Sequence, residues 1–191
     1  MACNNPFGAW AEGAPAATST SIYGALPYPG DSSMVKFYFT AFQPNVFNST
    51  VVGPTGQPHL HVVTNSLMPG YTAIKDRDGK DVALVEWQQQ GPFVEIRGVL
   101  GKQSVRDWLR LSPIRDSRSM DVRGMRYIWV PRKDSIQLYS ALSGQHAAIG
   151  RIIRANGGLI TLELTRDAMQ LGLLDVAVTA CFLFQCGRNI D

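Results

Sequence analysis

Two histidines stand one residue apart in His59-Leu60-His61. On a β-strand that spacing places both imidazoles on one face, as in some metal sites. A metal needs a third or fourth ligand, and the remaining histidine, His146, lies far along the chain. The pair is therefore read as strand histidines, and no metal is expected. Asp76, Asp78 and Asp81 surround Gly79, but the twelve-residue calcium-loop pattern with its terminal Glu is absent, and Asp78-Gly79 reads as a hairpin turn. No serine or cysteine has a histidine-containing motif nearby to activate it, and Gly-rich phosphate loops are missing, so no catalytic residue and no cofactor are assigned. Asp175 sits within an apolar segment. There a carboxylate must be paired, hydrogen-bonded or protonated. It is read as a structural anchor, with Thr179 one turn on and an arginine from the surrounding strands.

Basic residues carry the other chemical signal. The 191 residues include eighteen Lys or Arg and fifteen Asp or Glu, a net charge of +3 that by itself predicts no partner. The distribution is uneven: Arg97 to Lys133 holds ten basic against three acidic side chains, a local +7. Such a block points to a positive surface that could meet an anion. The candidate ligand-binding residues are Arg106, Arg110, Arg123, Arg126, Arg132 and Lys133. Tyr127 and Trp129 alternate with Arg126, but no RNA-binding signature accompanies them, so nucleic acid ranks below lipid as a partner.

Three cysteines, Cys3, Cys181 and Cys186, make no disulfide framework and suit a reducing compartment. The N-terminus has no early basic residue and no apolar run of signal-peptide length, so a cytoplasmic location is expected, with nuclear or peripheral-membrane placement open. Residues 1 to 33 are rich in Ala, Ser, Thr, Pro and Gly and show neither period. They are expected to form a flexible leader, dispensable for folding, ahead of a single domain over residues 34–191.

These groups need a scaffold, and from Met34 the scaffold is β. Val35 to Phe42 is β-branched and aromatic. Hairpin signals follow at Pro54 to Pro58 and at Asp76 to Lys80, with further strands at Val82–Trp87, Phe93–Arg97, Arg126–Val130, Ile136–Ser140, Ala148–Ile153 and Leu159–Leu164. Turns at Pro131 to Asp134, Ser143-Gly144 and Asn156-Gly157-Gly158 separate the later ones. Val105 to Leu111 fits neither a helical nor a strand period cleanly. Trp87, Trp108 and Trp129 are expected in the wall, where their rings supply large buried area. Strands at this spacing predict an antiparallel sandwich or barrel.

The chain then changes period. Asp167, followed three residues later by Gln170, looks like a capping box, and it opens an apolar run from Leu171 to Phe184. One helix is expected from about Ala168 to Cys186, with Gly187 and Arg188 as its stop. A helix apolar on every side lies inside a membrane or inside a protein. Sixteen residues from Leu171 to Cys186 make about 24 Å, short of the ~20 residues a span needs, and Asp175 opposes insertion. Enclosure by the strands is the better reading, giving a barrel plugged by its own helix and no transmembrane segment.

Several of these elements carry a resemblance: Asp78-Gly79, Val82-Ala83-Leu84-Val85-Glu86-Trp87, Trp108-Leu109, Arg118 with Gly124-Met125-Arg126-Tyr127-Ile128-Trp129, and Leu174-Asp175-Val176-Ala177-Val178-Thr179. Together they resemble a family of mushroom-forming fungi, domain of unknown function 6593, over roughly residues 35 to 188. That family is similar in turn to the tubby, phospholipid-scramblase and LURP-one group. The likeness implies an antiparallel β-barrel closed around a central C-terminal helix. It also implies contact with anionic membrane lipid, since tubby domains bind phosphoinositide headgroups through basic residues. No acidic calcium loop of the scramblase pattern is present. Fold analogy alone does not assign function. The leading expectation is a non-enzymatic binding module for an anionic phospholipid headgroup. The rivals are an enzyme or small-molecule carrier with a pocket at a barrel end, and a protein-interaction domain.

Overall fold

The computed structural model describes residues 34–42, 45–142, 147–155 and 158–191. The leader, Cys3, His146 and the tips of the Ser143-Gly144 and Asn156-Gly157 turns lie outside the described residues. The first seven strands are β1 (Met34–Thr40), β2 (Ser49–Val52), β3 (Pro58–Val63), β4 (Tyr71–Asp76), β5 (Asp81–Gln88), β6 (Gly91–Ile96) and β7 (Leu100–Ser104). A one-turn helix, α1 (Val105–Trp108), leads to β8 (Arg110–Leu111), β9 (Arg118–Val122), β10 (Met125–Pro131), β11 (Ile136–Ser140), β12 (Gly150–Arg154) and β13 (Ile160–Thr165). Two helices close the chain, α2 (Arg166–Gln170) and α3 (Leu174–Gln185).

Among the described residues thirteen strands form one antiparallel sheet in the order β7-β6-β5-β4-β3-β2-β1-β13-β12-β11-β10-β9-β8. Two meanders, β1 to β7 and β8 to β13, are thus joined by a single long-range pairing in which Met34 faces Thr165 and Phe39 faces Ile160. Lys36, Glu163 and Arg151 stand abreast across that junction. The carboxylate of Glu163 is 3% exposed and is gripped by both cations, with Lys36 Nζ at 3.3 Å.

Strand number decides how the sheet ends. Direction alternates from strand to strand, so an odd count leaves the edges β7 and β8 pointing the same way. They cannot meet as one more antiparallel pair. The link from Ser104 to Arg110 reaches at most ~20 Å even when extended, so the sheet must curl to bring its two edges within that span. The closed barrel expected from the sequence is therefore an open one, with a seam filled by buried Val105, Trp108 and Leu109. Arg118, wholly buried, clasps the seam: it donates to the Leu109 carbonyl at 2.9 Å and to both carboxylate oxygens of Asp191 at 2.8 Å.

Side chains alternate as the pleat demands. Phe37 and Phe39, Val94 and Ile96, Tyr127 and Trp129, Ile136 and Leu138, and Leu162 and Leu164 all point inward and are buried. Inside them runs α3, whose residues Val176 through Gln185 are all buried. Burying each large apolar side chain contributes ~1.5–3 kcal/mol, which is why this helix occupies the lumen and not the surface. Phe182 packs edge-on to Phe47 and Trp87, and Phe184 edge-on to Trp129.

The single helix expected from Ala168 to Cys186 is two helices. Gly172 adopts φ +70°, a left-handed conformation that ends α2, and the chain re-enters a helix at Leu174. The cap also differs. Thr165, not Asp167, closes α2, its hydroxyl accepting from the Ala168 amide at 3.1 Å.

The connections alternate between the two ends of the barrel. At the upper rim lie those of β1–β2, β3–β4, β5–β6, β8–β9, β10–β11 and β12–β13. At the lower rim lie the other turns and α2, while the link between the parallel edges β7 and β8 runs from the upper rim back down the seam, so α3 rises from the lower rim to the upper.

Candidate anion-binding surface

The six basic candidates occupy three separate places. Arg110 on β8 and Arg126 on β10 project from the outer face of the wall and converge on one carboxylate, Asp121 of β9. Their side chains remain 45% and 58% exposed. The pairing follows from register: Arg126 stands opposite Asp121, and Arg110 opposite Ser119 two residues away on the same face. The Arg126 guanidinium, and then that of Arg110, holds the Asp121 carboxyl below its ordinary range, so the carboxylate stays ionised. Arg106 is exposed on α1 just before β8. Arg123 takes a left-handed φ of 50° in the tight β9–β10 turn and donates to the Leu171 carbonyl at 3.2 Å. Arg132 and Lys133 are exposed in the β10–β11 turn, at the upper rim and the far end of β10 from Arg123. One contiguous patch of all six is not what the strands build. Arg106, Arg110 and Arg126 lie on the seam side, Arg123 turns to the α2–α3 link, and Arg132 and Lys133 belong to the upper rim.

Sequence reasoning missed Arg188, which it took for a helix stop. Its guanidinium lies over the rings of both Phe47 and Trp87, 4.5 Å and 4.6 Å from their centroids, at the upper rim, where the two rings also meet edge-on. Aromatic faces attract a cation and restrict its side chain. Trp87 is itself oriented by its indole N–H, which donates to the Thr72 hydroxyl at 2.9 Å. The only trace of this arrangement in the sequence is one arginine just after an apolar helix. Its partners, Phe47 and Trp87, are remote along the chain.

The histidine pair does not converge. A β-bulge between Val51 and Val52 disturbs the register of β2 and β3. His59 lies over Gly53, where a Cβ would fall 2.3 Å from its ring, and meets Phe37 edge-on. His61 instead faces the Thr50 hydroxyl at 3.3 Å. Asp76 folds its own turn, accepting from the amides of Asp78 and Lys80 at 2.9 Å, while Asp81 pairs with Lys75 at 2.6 Å. Among the described residues no group of three or more potential ligands is placed to hold a metal.

Asp175 is half-buried in the first turn of α3 near the lower rim, with Arg123 and Asp76 within electrostatic reach. The Thr179 hydroxyl donates to the backbone carbonyl of Asp175 at 2.7 Å and not to its carboxylate. Trp87 is partly buried at the mouth and Trp129 fully buried in the lumen.

A family model matches residues 44–189, spanning both meanders, the seam and α3, and its description is a family of unknown function, DUF6593. The chain belongs to that family. No curated protein matches it. Among solved structures, an X-ray structure of a protein from Arabidopsis thaliana is similar at 11% identity over 77% of this chain and 91% of that one, with a TM-score of 0.41. Family membership assigns no activity. Among the described residues, no helix is long and apolar enough to cross a membrane.

Proposed function

We propose that the chain is a non-enzymatic binding module whose ligand is an anionic phospholipid headgroup held on the outer wall of β8 to β10. The observation that carries this reading is the convergence of two exposed guanidiniums, Arg110 and Arg126, on the single carboxylate of Asp121. Each guanidinium offers five N–H donors in a planar fork, more than one carboxylate can use. The donors left over match the oxygens of a phosphate, and Ser119 adds a hydroxyl on the same face. With Arg106 on the preceding helix, and Asp107 and Asp121 as the acids of that stretch, the wall keeps a net +1. Packing supports the wall over the lumen, since α3 fills the space in which a carrier would hold its cargo.

Calorimetric titration with inositol hexakisphosphate at two salt concentrations tests the proposal. Binding is expected to weaken with salt, and to weaken several-fold more in the double variant Arg110→Gln, Arg126→Gln. Both positions are exposed, so the variant should melt with the wild type. Binding indifferent to salt or to both substitutions would overturn the assignment.

A further inference from the structure

We infer that the upper rim is a membrane-docking face, which meets the surface of an anionic phospholipid bilayer end-on. The inference rests on the headgroup reading above for the sign of the charge, and on the placement of apolar side chains for the rest. Eight large hydrophobic residues are exposed among those described, and six of them, Val63, Leu67, Met68, Tyr71, Ile114 and Leu159, lie at the upper rim. Leu142 and Leu171 are at the lower. Solvent-exposed aliphatic groups scattered singly need no explanation, but their gathering at one end of a barrel does.

The β3–β4 loop is built to keep its apolar tip outward. Leu67 is 87% exposed and Met68 58%. Behind them the loop is tied at every side: Asn65 accepts from the Leu67 amide at 2.8 Å, Thr64 donates to the Asn48 side chain at 2.9 Å, and Trp87 donates to the Gly70 carbonyl at 2.7 Å. The loop from Thr64 to Gly70 carries no charged side chain. Next to it, over the rings of Phe47 and of the Trp87 that bonds Gly70, stands Arg188. Arg115, Arg132 and Lys133 are exposed in neighbouring upper connections, where Asp116 and Asp134 are the opposing charges and Asp191 is engaged by Arg118.

Apolar tips ringed by cations suit a bilayer boundary, where the tips enter below the headgroups and the cations stay with the phosphates. Leu67 and Met68 project from one loop and Ile114 from another. A protein partner would need a separate pocket for each, whereas a bilayer yields to all of them at once.

The test is co-sedimentation of the full chain with vesicles of phosphatidylcholine alone or mixed with phosphatidylserine, comparing wild type with the double variant Leu67→Glu, Met68→Glu. Wild type should partition onto the mixed vesicles, and the variant should lose at least about tenfold of that partition while melting normally and binding inositol hexakisphosphate as before. A variant that sediments like wild type would overturn the rim assignment. So would a wild type that binds the soluble polyphosphate but neither vesicle. A dimer in lipid-free buffer that the two substitutions abolish would also overturn it, giving the rim to a second copy of the chain. Vesicle binding lost in the rim variant, with no polyphosphate binding by any form, would keep the rim and overturn the wall.

Discussion

Burial raises the Asp175 carboxyl above its ordinary value of 3.8, with Asp76 adding to the shift and Arg123 opposing it. The first turn of a helix favours a negative charge, but here desolvation outweighs it. The folded state thus holds this proton more tightly than the unfolded chain. The stability tied to Asp175 is full below the unfolded value and is lost as pH rises through the folded one. Asp175→Asn keeps the shape and removes the charge. It is expected to raise the melting temperature at neutral pH, with the gain vanishing below about pH 4. Melting curves across pH check this, and a gain that persisted in acid would implicate packing in place of ionisation. Burial also pushes the Cys186 thiol up to about 11 and that of Cys181 higher still. Both therefore stay protonated at neutral pH and unreactive.

At the scale of elements, the seam is where substitutions should be felt most. Arg118 carries its charge with no exposure at all, and Asp191, 73 positions along the chain, neutralises it. Asp191→Ala removes the carboxylate that Arg118 engages, and breaking a buried pair typically costs about 3 kcal/mol. Thermal unfolding should register the loss, and a variant melting with the wild type would show that the other partners of Arg118 suffice. This clasp was illegible in the sequence because its members are far apart. Inner strands were legible, since Phe37 with Phe39 and Val94 with Ile96 alternate cleanly and Asp78-Gly79 announces its turn. Leu100–Ser104 and Arg118–Val122 were not read as strands. The first carries one apolar side chain, Leu100, and no alternation, and the second hides an inward arginine among its apolar positions. Helix α3 was plain from composition. Its break at Gly172 was not, because one glycine in an apolar run does not disclose a left-handed turn. The wall cluster was half visible: the charge block named its arginines, but only strand register shows which of them meet at Asp121.

For the whole molecule, the odd strand count has a consequence for how the chain can be divided. β7 and β8 share no ladder, so a cut between Arg106 and Asp107 breaks no strand pairing. The two pieces still own complementary halves of one structure. The first holds β1 to β7, and the second holds β8 to β13 together with the helix that all of them enclose. Neither can bury its apolar face alone. Expressed apart, residues 1–106 and 107–191 should each fail to melt cooperatively. Mixed, they should assemble through the β1–β13 junction into a heterodimer with a single transition, detectable by size-exclusion chromatography and calorimetry. Fragments that stay apart would show that the covalent link at the seam is needed to hold the curl. If they join, the open edge makes this fold a natural two-part reporter, reconstituted by proximity and severable without disturbing any ladder.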